Sequence, residues 1–210
     1  MDQIIKDFQQ NKYAIVKPLL EPSVVKLAYN YFILKSCTNR AFQEEGDDAL
    51  YSGPYIKGAY ADLVSEVLLS ELEPTMKQIT QKNLAPSYTY SRVYVRGEEL
   101  KPHSDRPSCQ YSVTVNIGGA PWPIYFGVWD DNADERIWDG KKRVRKIAGY
   151  TLQPGEGIVY MGEDLVHWRD PLEDDHCVQV FLHYVDQDDE KYKPHIYDGR
   201  KNIGYLKPKK

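Results

Sequence analysis

Cysteine is scarce in this 210-residue chain: Cys37, Cys109 and Cys177 are an odd number at no metal-finger spacing. That excludes a zinc ribbon and a disulfide scaffold, and it fits free thiols in a reducing compartment. Long apolar runs are also missing. The stretch 67–69 stops far short of the roughly 18 residues a membrane span needs, and residues 1–6 carry charge where a signal peptide would be apolar. A soluble, unexported, cytoplasmic protein without membrane partners is expected. There is no excess of positive charge either: 27 Lys and Arg face 31 Asp and Glu, a net charge of −4. No global basic field draws the chain to nucleic acid, so a small-molecule or peptidyl substrate is the expected partner. What is abundant is aromatic and sheet-favouring, with 17 Tyr. The length suits one domain over 1–210 with a full core.

The chain changes texture near its middle. Residues 1–85 read as a helical buttress, with helices expected over 2–9, 24–34 and 61–80 and an edge strand over 13–20 broken by Pro18. The helix over 24–34 has an apolar stripe of Val24, Leu27, Ala28, Tyr31 and Leu34; that over 61–80 has Leu63, Val67, Leu68, Leu72 and Met76. Between them, 36–60 carries three glycines, a proline and an acidic run. It reads as a long loop, either a lid bearing Tyr51, Tyr55 and Tyr60 or an ordinary surface segment. From Pro86 on, short runs of Val, Ile, Tyr and Thr follow one another without helices between them, at 88–95, 110–117, Ile124–Trp129, 144–152, Gly157–Met161 and 177–184. That pattern predicts antiparallel sheets in a sandwich or barrel over 86–186, an α+β and mainly β protein. The segment 130–146 reads as a solvated hairpin tip, and 187–210 as a loosely held tail.

Two of the five histidines stand in suggestive company. His103 and Asp105 are two apart, so on an extended segment both side chains share a face and can grip one metal ion. His167 lies beyond another strand-like run, and two strands of one barrel can converge there. Two histidines and one carboxylate form the facial arrangement of non-haem Fe(II) oxygenases, which leaves coordination positions open. A zinc hydrolase would need a general base such as a helical H-E-x-x-H supplies, and the sequence has none. Against the metal reading stands the plain one: hydrogen-bonded histidines and a solvated acid. His183 and His195 read as a satisfied barrel residue and a solvated residue, and Cys109 and Cys177 as small buried hydrophobes.

The run RVYVRGEELKPHSD from Arg92 to Asp105 resembles the prolyl-4-hydroxylase-like branch of the 2-oxoglutarate- and Fe(II)-dependent dioxygenases, with Tyr94, Gly97, His103 and Asp105 in register and Leu100 where an aromatic is usual. Leu152 to Tyr160 (LQPGEGIVY) resembles the strand that precedes that family's distal histidine, here His167. The resemblance covers nearly half of the chain. It implies a double-stranded β-helix, a jelly-roll or cupin-like barrel, buttressed by the N-terminal helices. It also implies Fe(II) held by His103, Asp105 and His167, with 2-oxoglutarate and O2 as cosubstrates, and hydroxylation of a small molecule or an amino-acid side chain coupled to decarboxylation of the keto acid. Related halogenases lack the metal carboxylate; Asp105 is present here, which favours hydroxylation.

The family holds the distal carboxylate of 2-oxoglutarate with Arg or Lys some ten residues after the distal histidine. Here those positions are His176, Cys177 and Val178. A buried carboxylate needs a cation or several donors. Arg169, two residues after His167, is the first candidate, since a guanidinium grips a carboxylate with two parallel bonds. Arg92 is the second, His176 the third, and the Tyr94 hydroxyl is a further donor. Arg106 and Trp168, next to metal ligands, are candidate substrate contacts; strand alternation turns them away, as an ion pair and a packing residue. The missing anchor also leaves open a catalytically silent barrel that binds a metal or ligand as a sensor.

Overall fold

The computed structural model describes residues 1–38, 51–52, 58–132, 136–138 and 142–205. The expected lid 36–60 lies largely outside them; of its tyrosines, only the Tyr60 side chain is described.

Three helices precede most of the sheet. α1 (Asp2–Asn11) leads into strand β1 (Tyr13–Val16), followed by α2 (Pro22–Thr38) and α3 (Leu63–Thr80). The Asp62 carboxylate starts α3 by accepting from the N–H groups of Val64 and Ser65, which otherwise lack helical partners. Pro74 sits within α3. The buried face of α2 is Val25, Ala28 and Phe32, whereas Leu27 and Leu34 are 66% and 68% exposed. α3 buries Leu68, Leu69, Leu72, Met76 and Ile79 and exposes Leu63 and Val67. The stripes expected from sequence were therefore rotated. Both helices are apolar on more than one side, and the 3.6-residue period alone does not say which side meets the sheet. The unburied side leaves an apolar groove between α2 and α3, lined by Leu19, Val24, Leu27, Leu63 and Val67.

The remaining strands, in chain order, are β2 (Tyr51–Ser52), β3 (Ala59–Tyr60), β4 (Leu84–Val95), β5 (Glu99–His103), β6 (Tyr111–Gly119), β7 (Ile124–Trp129), β8 (Arg136–Trp138), β9 (Lys142–Tyr150), β10 (Gly157–Met161), β11 (Val166–Arg169) and β12 (His176–Asp186). They form two sheets, β1-β10-β6-β12-β4-β3 and β2-β5-β11-β7-β9-β8. All their pairings are antiparallel, as β12 with β4 and β11 with β7. Together they make the double-stranded β-helix that the resemblance implied, with the helices on the outer face of the first sheet. No helix among the described residues is long and apolar enough to cross a membrane.

Period-two alternation separates the two faces of the first sheet. Val113, Val115 and Ile117 of β6 and Val178, Val180 and Leu182 of β12 pack with the helices in the main core. Their neighbours Ser112, Thr114, Asn116, Gln179 and His183 are equally buried but polar, and they point into the barrel. Each buried valine or leucine on the outer face contributes roughly 1.5–3 kcal/mol. The barrel interior combines these polar residues with a smaller apolar cluster of Ile124, Phe126, Leu152, Ile158, Tyr160 and Leu165.

The tail is not loosely held. Residues 193–199 form a 3-10 segment, and Arg200 is buried in an ion pair with Glu66 at 2.6 Å. Tyr197 and Asp198 both take left-handed backbone angles, φ 52 and 53. Such angles are strained for residues with side chains, and here they bring the buried Asp198 carboxylate to the barrel wall.

Candidate metal centre

The first imidazole comes from the last residue of β5 and the second from the middle of β11. His103 and His167 are directly opposed across the antiparallel pair. Such a pair brings side chains together, and the two rings stand 4.3 Å apart between centroids. β5 can enter this position because Gly97, at φ 88, makes the turn from β4. In each histidine, Nδ1 donates to the carbonyl two residues upstream: His103 to Lys101 at 2.8 Å and His167 to Leu165 at 3.1 Å. A carbonyl can only accept, so both rings carry their proton on Nδ1 and turn a bare Nε2 inward.

Asp105 follows just beyond β5. Its backbone N–H donates to Gly162 O at 2.9 Å, and Gly162 N–H donates to Gln110 O. Its Oδ1 lies 3.7 Å from His103 Nε2 and 3.6 Å from His167 Nε2. Both separations are below twice a metal–ligand bond of about 2.1 Å, so one ion can touch the carboxylate and both rings. The other oxygen, Oδ2, accepts from Ser112 Oγ at 3.1 Å, which ties the carboxylate so that Oδ1 faces the two imidazoles. Burial lowers both histidines to about 4, with His167 acting on His103 and Arg169 acting on His167 in the same direction. Both are thus neutral at pH 7, the state in which an imidazole binds a metal.

These donors open onto a cavity of about 260 Å³ whose wall includes Tyr60, Tyr88, Tyr90, Leu100, Tyr160 and Phe181. Arg106 and His183 complete it. Asp105, Cys109 and His183 form a second group of close donors. The Cys109 thiol is pushed well up by burial and by the Asp105 charge, and it hydrogen-bonds the Tyr88 hydroxyl at 3.1 Å. It is a protonated thiol, not a ready ligand.

The other expected residues divide sharply. Arg169 is fully buried inside the barrel, donating from Nη1 to Trp122 O at 2.6 Å and from Nη2 to Gln179 Oε1 at 3.2 Å. Arg92 is also buried inside, on the strand position opposite Gln179, but it is ion-paired with Glu98. Tyr94 packs on Trp122 with ring centroids 4.7 Å apart. None of these three is part of the cavity wall. His176 is displaced from the role expected of it: its Nε2 meets Tyr29 OH of α2 at 2.7 Å, on the helix side of the sheet. Alternation explains this, because its neighbour Cys177 takes the inward position. Trp168 likewise faces away from the site, packing with Val144, Val166 and Tyr125. Arg106 does line the cavity, yet its guanidinium is bound through both nitrogens by Asp198, at 2.7 and 3.0 Å.

Ser112 escaped the sequence reading, and His183 and His195 were read there without a role at the site. Ser112 and His183 carried a signal, as polar residues at every second position of strands otherwise rich in valine and leucine. His195, expected in solvent, is half-buried, with Nδ1 3.0 Å from Ser108 Oγ.

No protein-family model matches the chain, and no curated protein matches it by sequence. Solved structures do share its fold. The α-ketoglutarate-dependent epimerase SnoN of nogalamycin biosynthesis aligns with TM-score 0.61 at 12% identity, over 88% of this chain and 82% of that one. A Pseudomonas putida prolyl-4-hydroxylase aligns with TM-score 0.59 at 11% identity, over 87% and 97%. EctD from S. alaskensis, solved with 2-oxoglutarate and 5-hydroxyectoine, aligns with TM-score 0.59 at 11% identity, over 96% and 84%. The chain therefore has the fold of the iron- and 2-oxoglutarate-dependent oxygenases.

Proposed function

We propose that the protein is an Fe(II)- and 2-oxoglutarate-dependent oxygenase that hydroxylates a small molecule or an amino-acid side chain. The observation that carries this reading is the meeting of His103 Nε2, His167 Nε2 and Asp105 Oδ1 at the inner wall of a cavity in this barrel. The donor set suits iron: two neutral imidazoles and one carboxylate form a facial triad with positions left for cosubstrates. Iron bound there, with 2-oxoglutarate and dioxygen, would supply the oxidising power for a C–H bond while the keto acid becomes succinate and carbon dioxide.

The protein's own part is to position and to shield. Lys101 O and Leu165 O orient the imidazoles, and Ser112 orients the carboxylate. The aromatic wall keeps water from the reacting carbon. For the distal carboxylate of the keto acid, Arg169 is the anchor that the geometry supports best. It donates to the uncharged oxygens of Trp122 and Gln179, and a carboxylate makes the stronger bond to a guanidinium. Arg92 is already neutralised by Glu98, and His176 is outside the barrel.

Anaerobic titration with Fe(II), then 2-oxoglutarate, should produce the weak visible metal-to-ligand charge-transfer band, and admission of air should produce succinate. Neither signal at full iron occupancy would overturn the oxygenase and leave a silent ligand-binding barrel. Arg169→Met should weaken 2-oxoglutarate at least tenfold more than it weakens Fe(II), since the carboxylate contact goes with the bonds to Trp122 O and Gln179 while His103, Asp105 and His167 stay in place.

A further inference from the structure

Ser112 Oγ lies among Asp105 Oδ2 at 3.1 Å, Cys109 O at 3.1 Å and His183 Nδ1 at 2.8 Å, and it also meets the Tyr160 hydroxyl. A hydroxyl has one proton to give. The carboxylate and the carbonyl can only accept, and the bond to the charged oxygen is the stronger. If the hydroxyl gave its proton to His183 instead, its lone pairs would face the buried carboxylate with no hydrogen between them. The arrangement that serves the charged oxygen has Ser112 donating to Asp105, with its two lone pairs accepting from His183 Nδ1–H and from the Tyr160 hydroxyl. His183 then carries its proton on Nδ1, and Nε2 is a bare acceptor.

That acceptor has no hydrogen-bond partner among the described residues. His183 is only 5% exposed, lines the cavity, and makes its one hydrogen bond through Nδ1. Its ring leans on Tyr88 with centroids 4.5 Å apart, which fixes the direction of Nε2. Apart from the three metal donors, it is a bare acceptor on a wall that also carries Tyr88, Tyr90, Leu100 and Phe181, and it asks for a donor from outside the protein. The wall offers nothing comparable for an anion, because the Arg106 guanidinium is taken up by Asp198.

We propose that His183 is the specificity-determining residue of this cavity: its Nε2 accepts a hydrogen bond from a hydroxyl or N–H group of an uncharged substrate whose apolar part packs on Tyr88, Tyr90, Leu100 and Phe181. The proposal relies on the oxygenase reading only in calling the bound molecule a substrate. The tautomer and the binding preference are properties of the metal-free protein.

The test uses metal-free, full-length protein labelled with 15N-histidine, with phenol and its methyl ether anisole as probes that share the ring and the oxygen and differ in the donor. The ring-nitrogen shifts should show His183 with protonated Nδ1 and bare Nε2. Phenol should move the Nε2 signal and bind about fivefold to tenfold tighter than anisole, the share of one neutral hydrogen bond. His183→Gln assigns the signal and should abolish the preference. If that variant does not fold, the wild-type shifts and the two-probe comparison still decide. A protonated Nε2, equal binding of the two probes, or no binding of either at tens of millimolar would overturn the proposal. A failure of iron or succinate chemistry would leave these readouts untouched, so the two readings fail separately.

Discussion

Gly162 is where a single methyl group should separate the metal centre from the fold around it. A Cβ built at this position would lie 2.3 Å from Cys109 O, 2.4 Å from Asp105 Oδ2 and 2.9 Å from Asp105 Cβ. Two of those atoms belong to backbone or to the root of a side chain, so no rotamer change relieves the overlap. Restoring ordinary contact moves the Asp105 carboxylate by about 1 Å or pushes the segment 105–109 outward. Either strains the backbone bonds from Asp105 to Gly162 and from Gly162 to Gln110. Overpacking of this kind costs about 1–3 kcal/mol of stability. A ligand displaced by 1 Å falls outside the tolerance of roughly 0.5 Å that a metal constellation allows. Gly162→Ala should therefore lower the urea midpoint modestly and reduce Fe(II) affinity by at least tenfold, measured by anaerobic titration. The reasoning fails if the variant binds Fe(II) like the wild type, because the carboxylate would then not depend on the close approach.

The metal-free protein should lose stability as pH falls from about 6.5 to 4. His103, His167 and His183 are each lowered to about 4, chiefly by burial. The unfolded chain takes up these protons first, so stability rises with pH across that window, on the order of 3 kcal/mol for each histidine at most. Urea midpoints at pH 7 and pH 5 read the effect, and equal midpoints would contradict it. Asp198→Ala should destabilise the protein by about 1–3 kcal/mol, since it removes a buried acceptor shared by Tyr60, Arg106 and Ser108. An unchanged melting temperature would mean that residues 193–200 do not help hold the cavity wall.

The strands Ile124–Trp129 and Gly157–Met161 were legible to the residue because each is a short apolar run between turns. β5 was not: Glu99, Lys101 and Pro102 give it little strand character, and it exists because β11 and β2 pair with it. That His103, Asp105 and His167 meet was legible by spacing and resemblance. What orients them was not, because Leu165 O, Lys101 O and the close approach of Gly162 are features of backbone path. His176 shows the limit from the other side. Counting residues from the distal histidine put it near the keto-acid anchor, yet the side chain one step on, Cys177, takes the inward position. The C-terminal segment was misread because its few apolar residues hid a buried ion pair, Arg200 with Glu66, and a buried carboxylate, Asp198, that holds the partly exposed Arg106.

Since the inward face around Ser112, Gln179 and His183 is polar and only a smaller apolar cluster, Ile124, Phe126, Ile158 and Tyr160, fills the space between the sheets, most of the stabilising burial lies between the first sheet and the helices. Neighbours in β12 put this to the test. Leu182 is fully buried in the core shared with α3, so Leu182→Ala should cost about 2–5 kcal/mol and leave Fe(II) affinity unchanged. Phe181, one residue away, faces the cavity. Truncating it widens an existing space, so Phe181→Ala should fall well below the about 3–5 kcal/mol of a fully packed phenylalanine while weakening phenol binding. Urea unfolding of both variants ranks them. If Phe181→Ala proved the more destabilising, the barrel interior would be a load-carrying core, and the division of labour between the faces of this sheet would be wrong.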